Sequence, residues 1–362
     1  MTEREIKFDN FFKNRNGIFL FNSDLTNEVK SFITRIENYL KPRYPTLPNI
    51  IGDFIADNSL NAVAGKYEDD YFVGINIGTY FLIGDMFNKM MATKSVFEKI
   101  GNIAIETSDK KILNAIIENK SISFDHANTT NVIVAKDPIR RDFGGICTSL
   151  IMNFIIFHEF GHIIRGHVGY VNQFNYNTIE EIDSAIKPVE PLTYRTLEMD
   201  ADSFAVNHMF LIGIQYLNVH NLSHPFNLLY KDIPTFLSNF IFSIYCLFKL
   251  FEIEEFNPAI ANNLNHPPPS IRISLILDNV ASLLEHHQIA NQDDLIKQIL
   301  YSVVEAENAF SSIRYFSNNS SSLFFSNHAK SEEYVNEILL NWKNVYPLIE
   351  PFAFGKLPPI VV

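Results

Sequence analysis

Residues 146–167 read Ile-Cys-Thr-Ser-Leu-Ile-Met-Asn-Phe-Ile-Ile-Phe-His-Glu-Phe-Gly-His-Ile-Ile-Arg-Gly-His. The run is apolar at almost every position until its end, as in a helix buried on all sides, and Gly166 and Gly169 supply its expected stop. Within it lies His158-Glu159-Phe160-Gly161-His162. On a helix the two histidines stand at i and i+4, one turn apart on one face, so both imidazoles can bind a single Zn²⁺. Glu159 between them can take a proton from water activated by the metal. The bare five-residue pattern arises by chance in roughly a few per cent of chains this long. Here the periodicity supplies the helix that the chemistry requires. Two imidazoles and a carboxylate in such an apolar helix cost several kcal/mol unless they find partners.

Forty residues after His158 comes Glu198-Met199-Asp200-Ala201-Asp202, inside a second helical pattern, Leu192 to Tyr216. A catalytic zinc keeps three protein ligands and one open position, which makes Glu198 the candidate third ligand. Asp202, one turn on, can hold the free ring nitrogen of a ligand histidine and fix its tautomer. Asp200 is rotated about 100° per residue off that face and is expected outside the site. Ala201 suits a close helix–helix approach. His167 follows His158 by nine residues, whereas a three-histidine zinc pattern needs ten, where Val168 stands. His167 is therefore expected at the helix end in a structural role, and His208, off the ligand face, likewise. The implied cofactor is one Zn²⁺ per chain.

The rest of the 362 residues constrains the setting. Hydrophobic residues make up 47% of the chain, enough for a large core, and the formal net charge of −12 disfavours binding to nucleic acid. Cys147 and Cys246 lie in apolar runs and read as buried free thiols in a reducing compartment. Residues 236–251 form an apolar stretch of 16 residues that includes Ser238, Asn239, Ser243 and Lys249. A spanning helix wants about 20 mostly apolar residues, so a core helix is the better reading and membrane association is disfavoured. Met-Thr-Glu-Arg-Glu-Ile-Lys at the start has no apolar leader, which points to the cytoplasm.

Further elements follow from local pattern. Asn22 to Tyr44, with cap candidates Ser23 and Asp24, is an amphipathic helix. Asn61 to Ala64 and Tyr71 to Ile77 read as a hairpin around a charged turn, and Gly78-Thr79 leads into a helix through Met91. Residues 92–120 suggest a helix of modest periodicity, and Asn131 to Ala135 a short strand. Asp137 to Gly145 has the Pro and Gly content of a loop, and Val168 to Pro191 reads as irregular and mobile. Helices are expected at 235–252, 271–287, 293–313 and 332–342, with a Ser/Asn-rich link at 317–326 and an extended, proline-rich tail from Tyr346. The fold class is α+β, mainly helical.

Together the motifs resemble the gluzincins of the HtpX and CAAX-prenyl-protease type. The resemblance rests on His158-Glu159-x-x-His162 with Gly166-His167, on Glu198-x-x-Ala201-Asp202-x-x-Ala205, and on Asn265-His266-Pro267-x-x-x-Ile271-Arg272-Ile273. Asn61-Ala62-Val63-Ala64 is similar to the Asn-Ala-Phe-Ala entry to that family's substrate-side hairpin. The resemblance spans roughly residues 50 to 280. It implies a minigluzincin-like core, with a small sheet packed on the His158–His162 helix and extra helices toward the C-terminus. The expected division is an N-terminal extension at 1–48, a peptidase core at 49–285 and a helical extension at 286–362. It also implies that His266 or Arg272 contacts the substrate carbonyl, and that the strand at Tyr71 to Ile77 is an edge on which an extended peptide pairs. The integral membrane members have clear spans that this chain lacks. The zinc motif also resembles the soluble, conditional phage-exclusion peptidases of the Lit type. The activity implied is zinc-dependent endoproteolysis of an intracellular protein. The alternatives are a latent or regulatory metal-bearing module and a membrane-associated protease, and the sequence leaves oligomeric state open.

Overall fold

The computed structural model describes residues 1–20, 25–109, 111–118, 121–128, 133–180, 189–252, 258–313 and 329–359. The fold is α+β and mainly helical. Its sheet has four strands, β1 (Ile50–Ile55), β2 (Ala62–Tyr67), β3 (Asp70–Asn76) and, far along the chain, β6 (Thr178–Glu180). Their order is β1-β3-β2-β6. The expected hairpin is present as β2 and β3, paired from Ala62 with Ile75 to Tyr67 with Asp70. β1 runs parallel to β3 on its other side. β3 is therefore an inner strand and offers a peptide no free edge, which corrects the expectation from sequence. Its residues 71–76 are buried without interruption, the pattern of a strand covered on both faces.

Different helices cover those faces. On one, α1 (Glu3–Phe11) and the residue after it set Phe8 and Phe12 against Ile51, Ile55, Val63 and Phe72, and Phe11 stacks on Phe72 with ring centroids 4.1 Å apart. On the other, α2 (Leu25–Leu40) brings Phe32, Ile33, Ile36 and Leu40 into the main core. α3 (Ile77–Met91) follows β3, and a small second hairpin pairs β4 (Ala115–Glu118) with β5 (Ser121–Phe124).

α4 (Pro138–Ile164) is the central helix. It starts eight residues before the expected point, because Asp137 caps it by accepting a hydrogen bond from the Arg140 amide and Pro138 opens the first turn. The Pro and Gly content that suggested a loop is instead a helix start and a close-packed position: a Cβ on Gly144 would meet Met91 at 3.2 Å.

Arg140 also explains why the helix expected at 92–120 does not form. Its fully buried guanidinium donates from Nε to Met91 O, from Nη2 to Thr93 and Val96 O, and from Nη1 to Phe97 and Ile100 O, all within 2.7–3.0 Å. Its five donors thereby satisfy carbonyls that in a helix would accept from backbone amides. The described residues of the stretch are irregular except for a short 3-10 turn at Ile103–Ile105 and β4.

Beyond α4, Gly166 at φ +84° breaks the helix as expected, and α5 (His167–Asn172) begins at once, with Gly169 inside it. Residues 168–180 are thus largely regular, since they hold α5 and β6. The helices α6 (Pro191–Leu217), α7 (Phe226–Leu229), α8 (Ile233–Phe251), α9 (Pro269–His286), α10 (Gln292–Ile313) and α11 (Ala329–Ile349) follow. α11 continues through Pro347, where an extended tail is expected, and a 3-10 turn at Glu350–Phe352 follows it. Residues 133–135 form no strand. The cap candidates Ser23 and Asp24, residues 131–132, part of the 168–191 connection and the 317–326 link lie outside the described residues.

Among the described residues two helices, α4 and α8, are long and apolar enough to cross a membrane, yet 83% and 78% of their most apolar windows are buried inside the fold. Cys147 and Cys246, on these helices, are buried free thiols. Burial pushes the Cys147 thiol up to about 12 and that of Cys246 well above its ordinary value.

Candidate active site

α4 and α6 pack side by side, and their approach is set by small residues. A Cβ on Gly161 would meet the Phe204 ring at 3.2 Å, and Ala201 is fully buried. This contact carries the end of α4 and the middle of α6 into one buried cluster. His158 Nε2 and His162 Nε2 lie 2.9 Å apart. Glu198 Oε2 is 3.3 Å from the first and Oε1 is 3.5 Å from the second. Each of the three residues is at most 2% exposed.

These three residues could hold a metal ion. Bonds of about 2.1 Å in tetrahedral directions put ligand atoms about 3.4 Å apart, close to the spacing seen. Both Glu198 oxygens are buried and accept no hydrogen bond, which a carboxylate tolerates only where a cation neutralises it. Burial pushes the Glu198 carboxyl up, but His266 and His162 beside it hold it well below the ordinary carboxylate range. Burial holds His162 well below the ordinary imidazole value.

Each histidine is gripped on its other nitrogen. His158 Nδ1 is 2.9 Å from Asp202 Oδ1. Asp202 in turn accepts from Arg272 Nε at 2.8 Å and from Nη2 at 2.7 Å. Burial raises the Asp202 carboxyl, and the Arg272 guanidinium more than offsets it, so the group stays below its ordinary value. Arg272 itself is 4% exposed and lies 4.4 Å over the Phe248 ring. The resemblance gives His266 or Arg272 the substrate carbonyl; the Arg272 guanidinium meets Asp202 through Nε and Nη2.

His162 Nδ1 is 3.0 Å from His167 Nδ1, and His167 Nε2 is 3.1 Å from Asp200 Oδ2. Arg165 Nε stands 3.6 Å from the same oxygen. Asp200 is off the Glu198 face, as helix rotation requires, but it is connected to His162 through His167. Sequence reasoning missed this pair. The one available signal was Gly166, whose left-handed turn brings His167 back toward α4.

Glu159 is 1% exposed and lies between the two histidines on α4. His266 approaches from the loop before α9, with Nδ1 3.4 Å from Glu198 Oε2 and its side chain 19% exposed. Neither of its ring nitrogens has a hydrogen-bond partner. His208 sits apart from the cluster, stacked on Phe157 at 5.4 Å and hydrogen-bonded to the Tyr44 and Tyr39 hydroxyls.

Paired helical histidines, a buried carboxylate opposite and carboxylates behind the histidines form a donor set that could hold a metal ion. A family model described as Peptidase U49 matches residues 146–291, which take in all three segments of the site and support a peptidase. No curated protein and no solved structure matches the chain.

Proposed function

We propose that the chain is a zinc-dependent endopeptidase that hydrolyses peptide bonds of an intracellular protein. The observation that carries this reading is that His158 Nε2, His162 Nε2 and the buried Glu198 carboxylate lie within 3.5 Å of one another, which leaves room for one ion. His158, His162 and Glu198 would hold Zn²⁺, which when bound polarises a carbonyl and makes water acidic near neutral pH. Asp202 accepts from His158 Nδ1–H and so keeps its Nε2 lone pair toward the cluster. Glu159 accepts the proton that the attacking water loses and delivers it to the leaving amine. Arg272 positions Asp202, and His266 is the group with ring nitrogens left to meet substrate.

A second reading rests on that same histidine. His266 Nδ1, 3.4 Å from Glu198, is close enough to the cluster for a small shift to make it a fourth ligand and leave the site latent. The Peptidase U49 match supports the Lit type over the HtpX resemblance, and conditional activity is what the Lit resemblance implies.

The test is Glu159→Gln, with zinc measured on wild type, on this variant and on Glu198→Ala. Glu159→Gln should keep about one zinc per chain and lose hydrolysis by a factor of 100 or more, the scale of a lost general base. Glu198→Ala should lose the zinc. New protein N-termini in cells expressing wild type but not Glu159→Gln identify the substrate. Full activity in Glu159→Gln removes the base assignment.

A further inference from the structure

We propose that His167 and Asp200 are positioning residues that fix the tautomer of His162 through a two-step relay, a support different in kind from that of His158. The inference rests on the metal reading of the site.

A proton inventory carries it. The Asp200 carboxylate has only acceptors, so the 3.1 Å contact from His167 Nε2 needs a hydrogen on that nitrogen. With its hydrogen on Nε2 turned to Asp200, the His167 ring presents Nδ1 to His162 as an acceptor. The 3.0 Å contact between His167 Nδ1 and His162 Nδ1 can be a hydrogen bond only if His162 carries its hydrogen on Nδ1. That leaves the His162 Nε2 lone pair facing Glu198 and His158, as a metal ligand requires. Each tautomer follows from the one before it, and the chain starts at Asp200. His158 reaches the same state in one step, from Asp202 directly. One histidine is thus backed by a carboxylate and the other by an imidazole nitrogen, a weaker acceptor.

The backbone holds the relay in place. His167 is fully buried as the first residue of α5, directly after the left-handed Gly166. A Cβ on Gly166 would lie 2.5 Å from Ile349 O, and one on Gly169 would lie 2.7 Å from Phe352 Cβ. Phe354 N donates to Ile164 O at 2.9 Å, and Arg165 Nη1 donates to Lys356 O at 3.0 Å. The turn that presents His167 is therefore closed in by residues 349–356. None of His158, His162 and Glu198 lies in that turn; the strap meets it from the side of Ile164 and Arg165.

The experiment is zinc affinity by chelator competition, with the visible absorption of the Co²⁺-loaded protein as a second readout, on the full chain. His167→Leu keeps most of the volume and removes the acceptor. It should weaken zinc binding about 10- to 100-fold, the range for lost partners of metal-bound histidines. His167→Asn restores an acceptor near the Nδ1 position and should recover most of that loss. Asp200→Ala leaves the imidazole in place but removes the group that sets its tautomer, and should weaken binding and alter the Co²⁺ spectrum. Wild-type affinity in folded His167→Leu, or in folded Asp200→Ala should the leucine variant not fold, overturns the relay while the metal site stands. Absence of zinc binding by wild type overturns the site reading itself, and the relay with it.

Discussion

Arg272 grips Asp202 at two points, Nε on Oδ2 at 2.8 Å and Nη2 on Oδ1 at 2.7 Å, so the carboxylate touching His158 has its charge matched inside the protein. Removing one partner of a buried pair leaves the other charge uncompensated, at about 3–5 kcal/mol. Arg272→Met should lower stability on that scale in urea denaturation. Arg272→Lys, which keeps the charge but not the two-point contact, should fall between it and wild type. Wild-type stability in Arg272→Met would show that Asp202 does not depend on this charge.

His266 separates the two readings of the site. If its free ring nitrogens meet the substrate, His266→Ala should keep zinc and lower kcat/KM about 100-fold, the scale of one lost donor at a developing oxyanion. That loss is the expected result. A rise in hydrolysis on the purified protein would instead mean that His266 closes the fourth position.

His208 gives the fold a pH dependence away from the site. Burial, with Arg165 and Arg43 nearby, lowers its imidazole from 6.5 to about 3, and its ring faces the Tyr39 and Tyr44 hydroxyls, Phe157 and Phe204. The unfolded chain therefore binds a proton between pH 6.5 and 3 that the folded chain refuses. Stability is full above about 6.5 and falls as the pH drops, by about 2 kcal/mol at pH 5. His208→Gln should flatten the wild-type slope of stability between pH 7 and 5. An unchanged slope would assign the dependence to other groups.

What could be read from sequence was whatever one helix fixes by itself. His158 and His162 share a face because four residues make a turn, and Glu198 and Asp202 do so for the same reason. The contact of Arg272 with Asp202 was out of reach, because it joins α6 to α9 across 70 positions. The relay from Asp200 failed to show for a related reason: it depends on one left-handed φ at Gly166. The place of β3 within the sheet was hidden because its second partner, β1, carries no turn signal linking the two. Residues 92–109 read as weakly helical because the guanidinium that redirects their carbonyls lies some 40 residues downstream.

The closing of the Gly166–Gly169 turn by Ile349, Phe352 and Lys356 has a consequence for the order in which the molecule is assembled. A ribosome makes His158, His162 and Glu198 well before it makes the residues that seat His167. During synthesis the turn at Gly166 therefore stays uncovered until residues 349–356 have been made. A polypeptide halted before that strap would hold every residue of the cluster with the turn that presents His167 left uncovered.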